Sequence, residues 1–276
     1  MQNSPVISLN SGASIPQVGF GVFQVDPAST KKVVLDALEV GYRHIDTAAG
    51  YDNEAAVGEA IAESGIPREE LFITTKQRPA DQAASLSRQA IESSLEKLGL
   101  PFVDLYLIHW PTPARGLYVD SWHALESFAE QGLARSIGVS NFLPDHLDRL
   151  AAESSTVPAV NQIELHPRLQ QKRTEERSVH AGIRVEAWSP IARGDLVDTP
   201  EVNAIATRHD KTVAQITLRW HLEHGRIIIP RTAHKDRMVE NFDLFDFTLE
   251  PDEVSVLDAL EVGGRIGPDP ATNNRI

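Results

Sequence analysis

Short runs of β-branched and apolar residues alternate along this chain with longer segments in which apolar positions recur at helical spacing. This alternation predicts repeated strand–helix units around a parallel sheet. The predicted strands are Gln17–Gly21, Arg43–Asp46, Leu71–Lys76, Val103–His109, Ser136–Val139, Ala159–Gln162, Arg184–Trp188 and Arg226–Pro230. The predicted helices are Ser29–Glu39, Glu54–Glu63, Ala84–Leu98, Ser121–Gln131, Pro144–Glu153, Arg173–Ala181, Thr212–Glu223 and Lys235–Phe242. Eight strands, each paired with a helix, indicate an α/β protein with a (β/α)8 TIM barrel.

An open, doubly wound sheet is the competing architecture. A dinucleotide-binding sheet of that kind usually carries a glycine-rich phosphate turn after its first strand. Here Gly19 and Gly21 flank a single residue, and no third glycine follows at the required place. The barrel is therefore preferred. We expect a short β-hairpin before it, and we expect the polar tail Gly263–Ile276 either to lie over the barrel mouth or to be disordered.

Length and composition favour one domain over residues 1–276. No Gly/Ser-rich or Pro-rich linker divides the 276 residues, and the composition does not change abruptly. With 41% hydrophobic and 24% charged residues, the chain has enough apolar side chains for a large core and enough charge to remain soluble.

Charge and cysteine content narrow the partners and the compartment. A formal net charge of −13 disfavours nucleic-acid binding, so an anionic ligand needs a local basic cluster. Cysteine is absent, which excludes disulfides and thiolate chemistry and is consistent with a reducing compartment. The N-terminal stretch Met1–Pro5 lacks the features of a signal peptide, and no apolar run has the length of a membrane span. We expect a cytoplasmic monomer with no membrane partner and no metal site.

Four polar residues fall where the carboxyl ends of the predicted barrel strands meet. Asp46, Lys76 and His109 end the second, third and fourth strands, and Tyr51 lies in the loop after Asp46. Chemistry in such barrels gathers at this end. An ion pair between Asp46 and Lys76 would offset much of the cost of burying each charge. The four side chains are therefore the candidate catalytic group.

These residue types suit the reduction of a carbonyl group. A neighbouring ammonium favours the ionised form of a phenol, so we expect Lys76 to lower the pKa of Tyr51 and make it a general acid. His109 can donate a hydrogen bond to the same carbonyl oxygen while negative charge develops on it. The alternative is a purely structural polar network that caps the barrel, because such networks also shift pKa values.

Three separated segments resemble the aldo-keto reductase family. The first, Gly41–Ala48, reads GYRHIDTA and is followed by Tyr51, Glu54 and Gly58 at the family's spacing. The second is Ile137–Phe142, with the sequence IGVSNF. The third reads IPRT from Ile229 to Thr232 and is followed by Arg237, Glu240 and Asn241. The stretches VNQIELHP at Val160–Pro167 and WSP at Trp188–Pro190 resemble the prokaryotic branch that includes 2,5-diketo-D-gluconic acid reductases.

The resemblance implies a reductase of aldehydes or ketones that uses NADPH, with Asp46, Tyr51, Lys76 and His109 as the catalytic tetrad. It assigns the nicotinamide carboxamide to Ser140, Asn141 and Gln162. Trp188 ends the seventh predicted strand, where its indole can stack on the nicotinamide ring. The cofactor residues that the resemblance implies in the neighbouring loops are Gly21, Val22, Ser189, Pro190, Ile191, Ala192 and Ala233.

A basic cluster after the last predicted strand fits a phosphate group. Arg231, Thr232, His234, Lys235 and Arg237 lie at the start of a predicted helix, whose N-terminal N–H groups attract anions. This cluster favours NADPH over NADH. By the family's pattern, Glu240 and Asn241 hold the adenine. Arg231 stands where the family commonly has lysine, which keeps the charge but changes its geometry.

The substrate pocket is predicted to have an aromatic wall. Phe23 and Trp110 are its further candidates beside Tyr51 and His109. The expected partner is a small carbonyl compound. Two other functions stay open: a Schiff-base aldolase that uses Lys76 as its nucleophile, and a non-catalytic NADPH-binding redox sensor. An anionic partner raises the pKa of a lysine, which argues against the aldolase.

Overall fold

Eight parallel strands form a barrel in the computed structural model, which describes residues 4–276. After an N-terminal hairpin of β1 and β2, the barrel strands are β3 (Phe20–Gly21), β4 (His44–Asp46), β5 (Phe72–Gln77), β6 (Val103–Ile108), β7 (Ala134–Ser140), β8 (Val160–Glu164), β9 (Arg184–Trp188) and β10 (Ile227–Ile228). Each strand pairs with the next in chain order. The predicted (β/α)8 TIM barrel is confirmed.

The barrel closes between its last strand and the segment before β3. Val18 forms a parallel bridge with Ile228, and the backbone N–H of Gly19 donates to the carbonyl of Ile228 at 2.8 Å. The N–H of Ile228 in turn donates to the carbonyl of Gln17 at 2.9 Å. The predicted first strand, Gln17–Gly21, is therefore paired along its length, although regular strand geometry is confined to its last two residues.

Ten helices surround the barrel within residues 4–276. They are α1 (Pro27–Val40), α2 (Glu54–Ser64), α3 (Ala84–Leu98), α4 (Tyr118–Glu130), α5 (Pro144–Glu153), α6 (Lys172–His180), α7 (Pro200–His209), α8 (Val213–Glu223), α9 (Lys235–Phe242) and α10 (Pro251–Asp258). The eight predicted helices are present, with ends that differ by at most three residues. Helices α7 and α10 have no counterpart among the predicted helices. Both begin with proline, whose fixed φ suits the first helical turn.

The N-terminal hairpin covers the end of the barrel opposite the candidate site. Strands β1 (Val6–Ser8) and β2 (Ser14–Pro16) pair antiparallel, as the predicted hairpin requires. Ile15 and Leu9 are buried in one apolar cluster with barrel residues that include Phe72, Leu105 and Val160. The hairpin therefore excludes water from this end of the lumen.

The C-terminal tail, predicted at Gly263–Ile276, crosses the mouth of the barrel. The carboxylate of Glu164, at the end of β8, accepts hydrogen bonds from the N–H groups of Ile266 (2.6 Å) and Gly267 (2.9 Å). Farther along, Asn274 accepts a hydrogen bond at 2.8 Å from the N–H of Ala114, in the loop after β6. The tail therefore spans from one side of the mouth to the other.

The sequence predicts neither a membrane-spanning segment nor a signal peptide. Among the described residues, none of the helices combines the length and the apolar character that crossing a membrane requires. Residues 1–3 belong to the stretch on which the prediction of no signal peptide rests, and they lie outside the described residues.

Candidate active site

A buried ion pair lies at the carboxyl ends of β4 and β5. Asp46 ends β4 and is 2% exposed, while Lys76 is the penultimate residue of β5 and is 0% exposed. The ammonium of Lys76 donates to Oδ1 of Asp46 at 2.5 Å and to the carbonyl of Thr47 at 2.9 Å. Burial alone would lower the pKa of Lys76, but the Asp46 carboxylate and the Tyr51 phenol raise it above its ordinary value. Lys76 is therefore a cation at neutral pH.

Tyr51 joins this pair from a 3₁₀ turn, Ala49–Tyr51, that follows β4. Its hydroxyl lies 3.4 Å from the amine of Lys76. The predicted lowering of the Tyr51 pKa is wrong for this structure: burial raises the pKa above its ordinary value, although Lys76 lowers it in opposition. The phenol of Tyr51 is therefore protonated at neutral pH. The ammonium of Lys76 reduces the rise in its pKa that burial causes.

His109 completes the predicted group of four. It follows β6 directly, and its ring centroid lies 5.6 Å from that of Tyr51 in an edge-on arrangement. Burial, assisted by the charge of Lys76, lowers the pKa of His109 to about 3. The imidazole is therefore neutral and can donate one hydrogen bond without carrying charge.

The four predicted wall residues form a continuous aromatic surface at the mouth. Ring centroids are 5.0 Å apart for Phe23 and Tyr51, and 6.4 Å apart for His109 and Trp110. Phe23 is 48% exposed, so the surface faces an open region. Trp110 does reach the mouth, although strict alternation along the strand would direct it away from His109.

Ser140, Asn141 and Trp188 make a hydrogen-bonded group on the opposite side. The amide nitrogen of Asn141 donates to Ser140 Oγ and to the carbonyl of His109, both at 3.0 Å. Its amide oxygen accepts from Trp188 Nε1 at 2.9 Å. Asn141 adopts the left-handed backbone region, with φ of 63°. The indole of Trp188, at the end of β9, is thus held by a residue that follows β7, across the intervening strand β8.

The amide of Gln162 connects two carboxyl groups in the lumen. Its Nε2 donates to Asp46 Oδ2 at 2.8 Å and to Glu186 Oε2 at 2.7 Å. The sequence analysis missed Glu186. It stands two residues before Trp188 in a strand, so the alternation of side chains could have placed both on the same face.

The predicted loop residues lie around this mouth. The N–H of Gly21 donates to the carbonyl of Pro230 at 3.1 Å, and that of Val22 donates to the carbonyl of Asp46 at 3.0 Å. A Cβ at Gly21 would lie 3.2 Å from the carbonyl oxygen of Ile229, so the two backbones approach closely. The four residues that directly follow β9 are Ser189, Pro190, Ile191 and Ala192.

The basic cluster after β10 is only partly available to a ligand. Arg231 and Arg237 are exposed and form no salt bridge with any residue of 4–276. The ammonium of Lys235 is instead paired with Glu39 at 2.7 Å. The hydroxyl of Thr232 accepts from the N–H of His234 at 3.1 Å, just before α9. Arg231 donates to the backbone carbonyl of Gln24 at 2.6 Å, so Arg237 is the more available of the two cations.

The three remaining predicted residues also lie here. Ala233 is exposed between Thr232 and α9, and Asn241 is buried on that helix. Glu240 accepts a hydrogen bond from the hydroxyl of Thr212 at 2.6 Å. Of the two residues predicted to hold the adenine, Glu240 thus already has a protein partner.

The chain as a whole is similar to proteins of known family and structure. The model of the Aldo/keto reductase family matches residues 17–262. An aldo-keto reductase of Mycolicibacterium smegmatis is 50% identical over 273 residues, covering 98% of both chains. The methylglyoxal reductase DkgA of Yersinia pestis is 47% identical over 272 residues, again covering 98% of both. A crystal structure of a Gox0644 variant in complex with NADPH superposes with a TM-score of 0.95 at 40% identity and covers 99% of both chains.

Proposed function

Because this chain belongs to the aldo-keto reductase family, we propose that it reduces small aldehydes and ketones to alcohols with NADPH. The substrate class includes dicarbonyls such as methylglyoxal and keto-sugars such as 2,5-diketo-D-gluconate. One observation carries the proposal: the ammonium of Lys76 lies within hydrogen-bonding distance of both the Asp46 carboxylate and the Tyr51 hydroxyl at an open barrel mouth. The relative named methylglyoxal reductase and the NADPH complex of a similar protein support it.

The proton in this reaction comes from Tyr51. Its phenol is protonated at neutral pH, and Lys76 stabilises the phenolate that is left after proton transfer. Asp46 keeps Lys76 charged and in place. His109 is neutral, so it orients the carbonyl oxygen by donating a hydrogen bond and does not compete as an acid.

NADPH, when bound, supplies the hydride to the carbonyl carbon. Its carboxamide is assigned to the hydroxyl of Ser140 and the amides of Asn141 and Gln162. Their oxygens can accept from the carboxamide N–H groups, while their hydrogens are already donated to protein acceptors. Trp188, fixed by Asn141, offers a flat apolar surface for the nicotinamide ring. Gly21 and Val22, together with the loop Ser189–Ala192, would line the path from this ring toward β10.

The 2′-phosphate has a matching site at α9. Arg231 and Arg237 are exposed and have no carboxylate partner within residues 4–276, and Thr232 precedes the free N–H groups of the helix. Together they favour NADPH over NADH. Ala233, Glu240 and Asn241 would border the adenine, and Glu240 would do so while bound to Thr212.

The carbonyl substrate would lie against the aromatic surface of Phe23, Tyr51, His109 and Trp110.

The aldolase alternative is disfavoured because the pKa of Lys76 is raised, so its amine is not a free nucleophile at neutral pH. The redox-sensor alternative differs from the reductase only in turnover. The expected monomeric state and cytoplasmic location stay predictions.

A panel assay tests the proposal. The protein is mixed with NADPH and with methylglyoxal, 2,5-diketo-D-gluconate or an aromatic aldehyde, and NADPH consumption is followed by absorbance. We expect turnover with at least one dicarbonyl or keto-sugar and a much lower rate with NADH. Tight NADPH binding without turnover on any compound would favour the sensor, and borohydride trapping of a carbonyl compound on Lys76 would favour the aldolase.

A further inference from the structure

Glu186 is a carboxyl group in the barrel lumen that the mechanism above does not use. It lies at the middle of β9, in register with Gln162 on β8, and is 0% exposed. Side chains alternate along a strand, so Glu186 faces the same side as Trp188, one layer below the mouth. A glutamate without solvent needs either a cation or a proton to compensate its charge.

The amide of Gln162 joins this carboxyl group to the ion pair. Its nitrogen donates to Glu186 and to Asp46 at the same time, at 2.7 and 2.8 Å. An amide nitrogen has two hydrogens, and both are committed to these carboxyl oxygens. The amide oxygen of Gln162 is therefore turned away from them, and the orientation of the whole side chain depends on Glu186 as much as on Asp46.

The cations around Glu186 do not suffice for two ionised carboxylates. Lys76 faces the group from β5 and is hydrogen-bonded to Asp46 on β4. His44, also on β4, has its Nε2 3.6 Å from Glu186 Oε1, but burial lowers its pKa to about 3 and leaves it neutral. On the other side of Glu186, β10 contributes the apolar Ile227 in register.

The hydrogen bonding of Glu186 also indicates that it is protonated. Oε1 of Glu186 has no hydrogen-bond partner among residues 4–276. A carboxylate oxygen without a partner in a dry lumen is far more costly than the same oxygen in a protonated acid. Burial, followed by the charge of Asp46, accordingly raises the pKa of Glu186 to about 8.

We propose that Glu186 is a positioning residue of the reductase site that stays protonated during turnover, fixes the amide of Gln162, and leaves Lys76 paired with Asp46 alone. This inference rests on the proposed function. With Glu186 neutral, one ammonium and one carboxylate balance each other beside Tyr51. When Glu186 loses its proton, a second negative charge enters the lumen and opposes the formation of the Tyr51 phenolate.

The consequence is a loss of activity on the alkaline side that belongs to Glu186. A carboxyl group with a pKa of about 8 is protonated below that pH and ionised above it. The pKa of Tyr51 is raised above its ordinary value of 10.0, so the loss of its own proton lies at higher pH. We therefore expect the kcat of the native protein to fall above about pH 8.

The substitution E186Q tests this because glutamine is neutral, has nearly the same shape and still accepts a hydrogen bond from Gln162. At about pH 7 we expect its kcat to lie within about twofold of the native value. At about pH 9.5 we expect it to be about 3- to 10-fold faster than the native protein, because the second charge is gone. E186L removes the acceptor and should lower kcat at both pH values, by about tenfold.

Infrared spectroscopy gives a readout that does not depend on turnover. The difference spectrum between about pH 6 and about pH 10 should show the carbonyl stretch of a protonated carboxylic acid, and E186Q should lack that band. Identical alkaline profiles for E186Q and the native protein, or an unchanged band, would overturn the proposal. Failure of the native protein on the whole carbonyl panel would instead refute the proposed function, and the infrared band would still report on Glu186.

Discussion

The carboxylate of Glu164 accepts a hydrogen bond from the backbone N–H of Gly267 at 2.9 Å, which joins the end of β8 to the C-terminal tail. The same carboxylate accepts from Ile266 and pairs with His166 at 3.2 Å. It is buried, and burial alone would raise its pKa, but His166 and the two N–H groups hold the pKa below its ordinary value. The tail is thus anchored by an ionised group under the mouth.

Loss of this anchor should free the tail. E164A removes the carboxylate that accepts hydrogen bonds from Ile266, Gly267 and His166. We therefore expect faster proteolysis between Gly263 and Ile276. We also expect the KM for bulky aromatic aldehydes to change more than the KM for methylglyoxal. Because the pKa of Glu164 is lowered, the native anchor should persist at mildly acidic pH and weaken only below the ordinary value of 4.5. E201A, at an exposed position of α7, is the control. Equal proteolysis of both variants would contradict the anchoring role.

Gly267 gives a second means of displacing the tail. A Cβ at this position would collide with the indole of Trp188. We expect G267A to alter NADPH affinity, measured by quenching of tryptophan fluorescence, because the indole or the tail must shift. G263A has no atom within 4 Å of its added Cβ, although its φ of +67° also disfavours alanine. Equal NADPH affinity of the two variants would mean that the contact between Gly267 and Trp188 does not control binding.

Tyr51 is the proposed proton donor, and Y51F removes only its hydroxyl. We expect kcat to fall by about 10²-fold or more while the Kd for NADPH stays within about twofold, because the ring still packs against Phe23 and His109. Y118F supplies a matched control, since Tyr118 is buried on α4 and its ring packs on Phe142 and His146, not on the four proposed catalytic residues. Unchanged carbonyl reduction by Y51F would exclude this residue as the acid.

The contributions of Asp46 and Lys76 to the free energy of unfolding should be strongly coupled. D46A leaves a fully buried ammonium without its carboxylate, and we expect a loss of about 3–5 kcal/mol in the free energy of unfolding. K76M leaves the Asp46 carboxylate buried without its cation and should cost a similar amount. In the double variant the losses should not add, because each single change already breaks the same pair. Additive losses in urea unfolding would show that the two residues act independently.

The two exposed arginines, Arg231 and Arg237, should determine the preference for NADPH. R237A removes an unpaired cation near the N-terminus of α9, so we expect the KM for NADPH to rise about tenfold and the KM for NADH to change little. K235A is the matched control on the same helix, because its ammonium is already bound to Glu39. An equal rise in KM for both variants would point to a general charge effect and not to a phosphate site.

Much of the barrel follows from local pattern. The strand Arg184–Trp188 and the helices Ala84–Leu98 and Pro144–Glu153 have the predicted bounds, because apolar periodicity and a proline at the first helical position are local signals. Helices α7 and α10 also carry a proline at the first helical position, so the same local signal was available for them.

What the pattern did not reveal depends on contacts between distant parts of the chain. The anchoring of the tail joins residues more than 100 positions apart, and neither Glu164 nor Gly267 has a local signal for it. The error in the Tyr51 pKa has the same origin: the sequence shows the neighbouring lysine but not the burial that outweighs it. Glu186 could have been placed on the same face as Trp188 from alternation along the predicted strand, but its hydrogen bond to Gln162 joins two separate strands and has no local signal.

Gly58 shows how a motif residue can serve packing and not chemistry. It lies on α2, and a Cβ there would be 2.5 Å from the carbonyl oxygen of Leu98, at the end of α3. Glycine to alanine within a helix normally gains about 1 kcal/mol. Here the opposing atoms belong to the backbone, which cannot move as a flexible side chain would, so the clash should exceed that gain. We expect G58A to lower the free energy of unfolding by about 1–3 kcal/mol without changing the KM for NADPH.

The neighbouring substitution E59A is the control. It shows how much stability any substitution on α2 costs without the contact between an added Cβ at position 58 and the backbone of Leu98. Glu59 is exposed on the same helix and makes one surface ion pair with Lys31 at 3.5 Å, so its loss should cost less than about 0.5 kcal/mol. Urea unfolding of both variants, with NADPH titration in parallel, measures the difference. A G58A protein as stable as E59A would mean that α2 and α3 can move apart, and that the glycine is not required by their close approach.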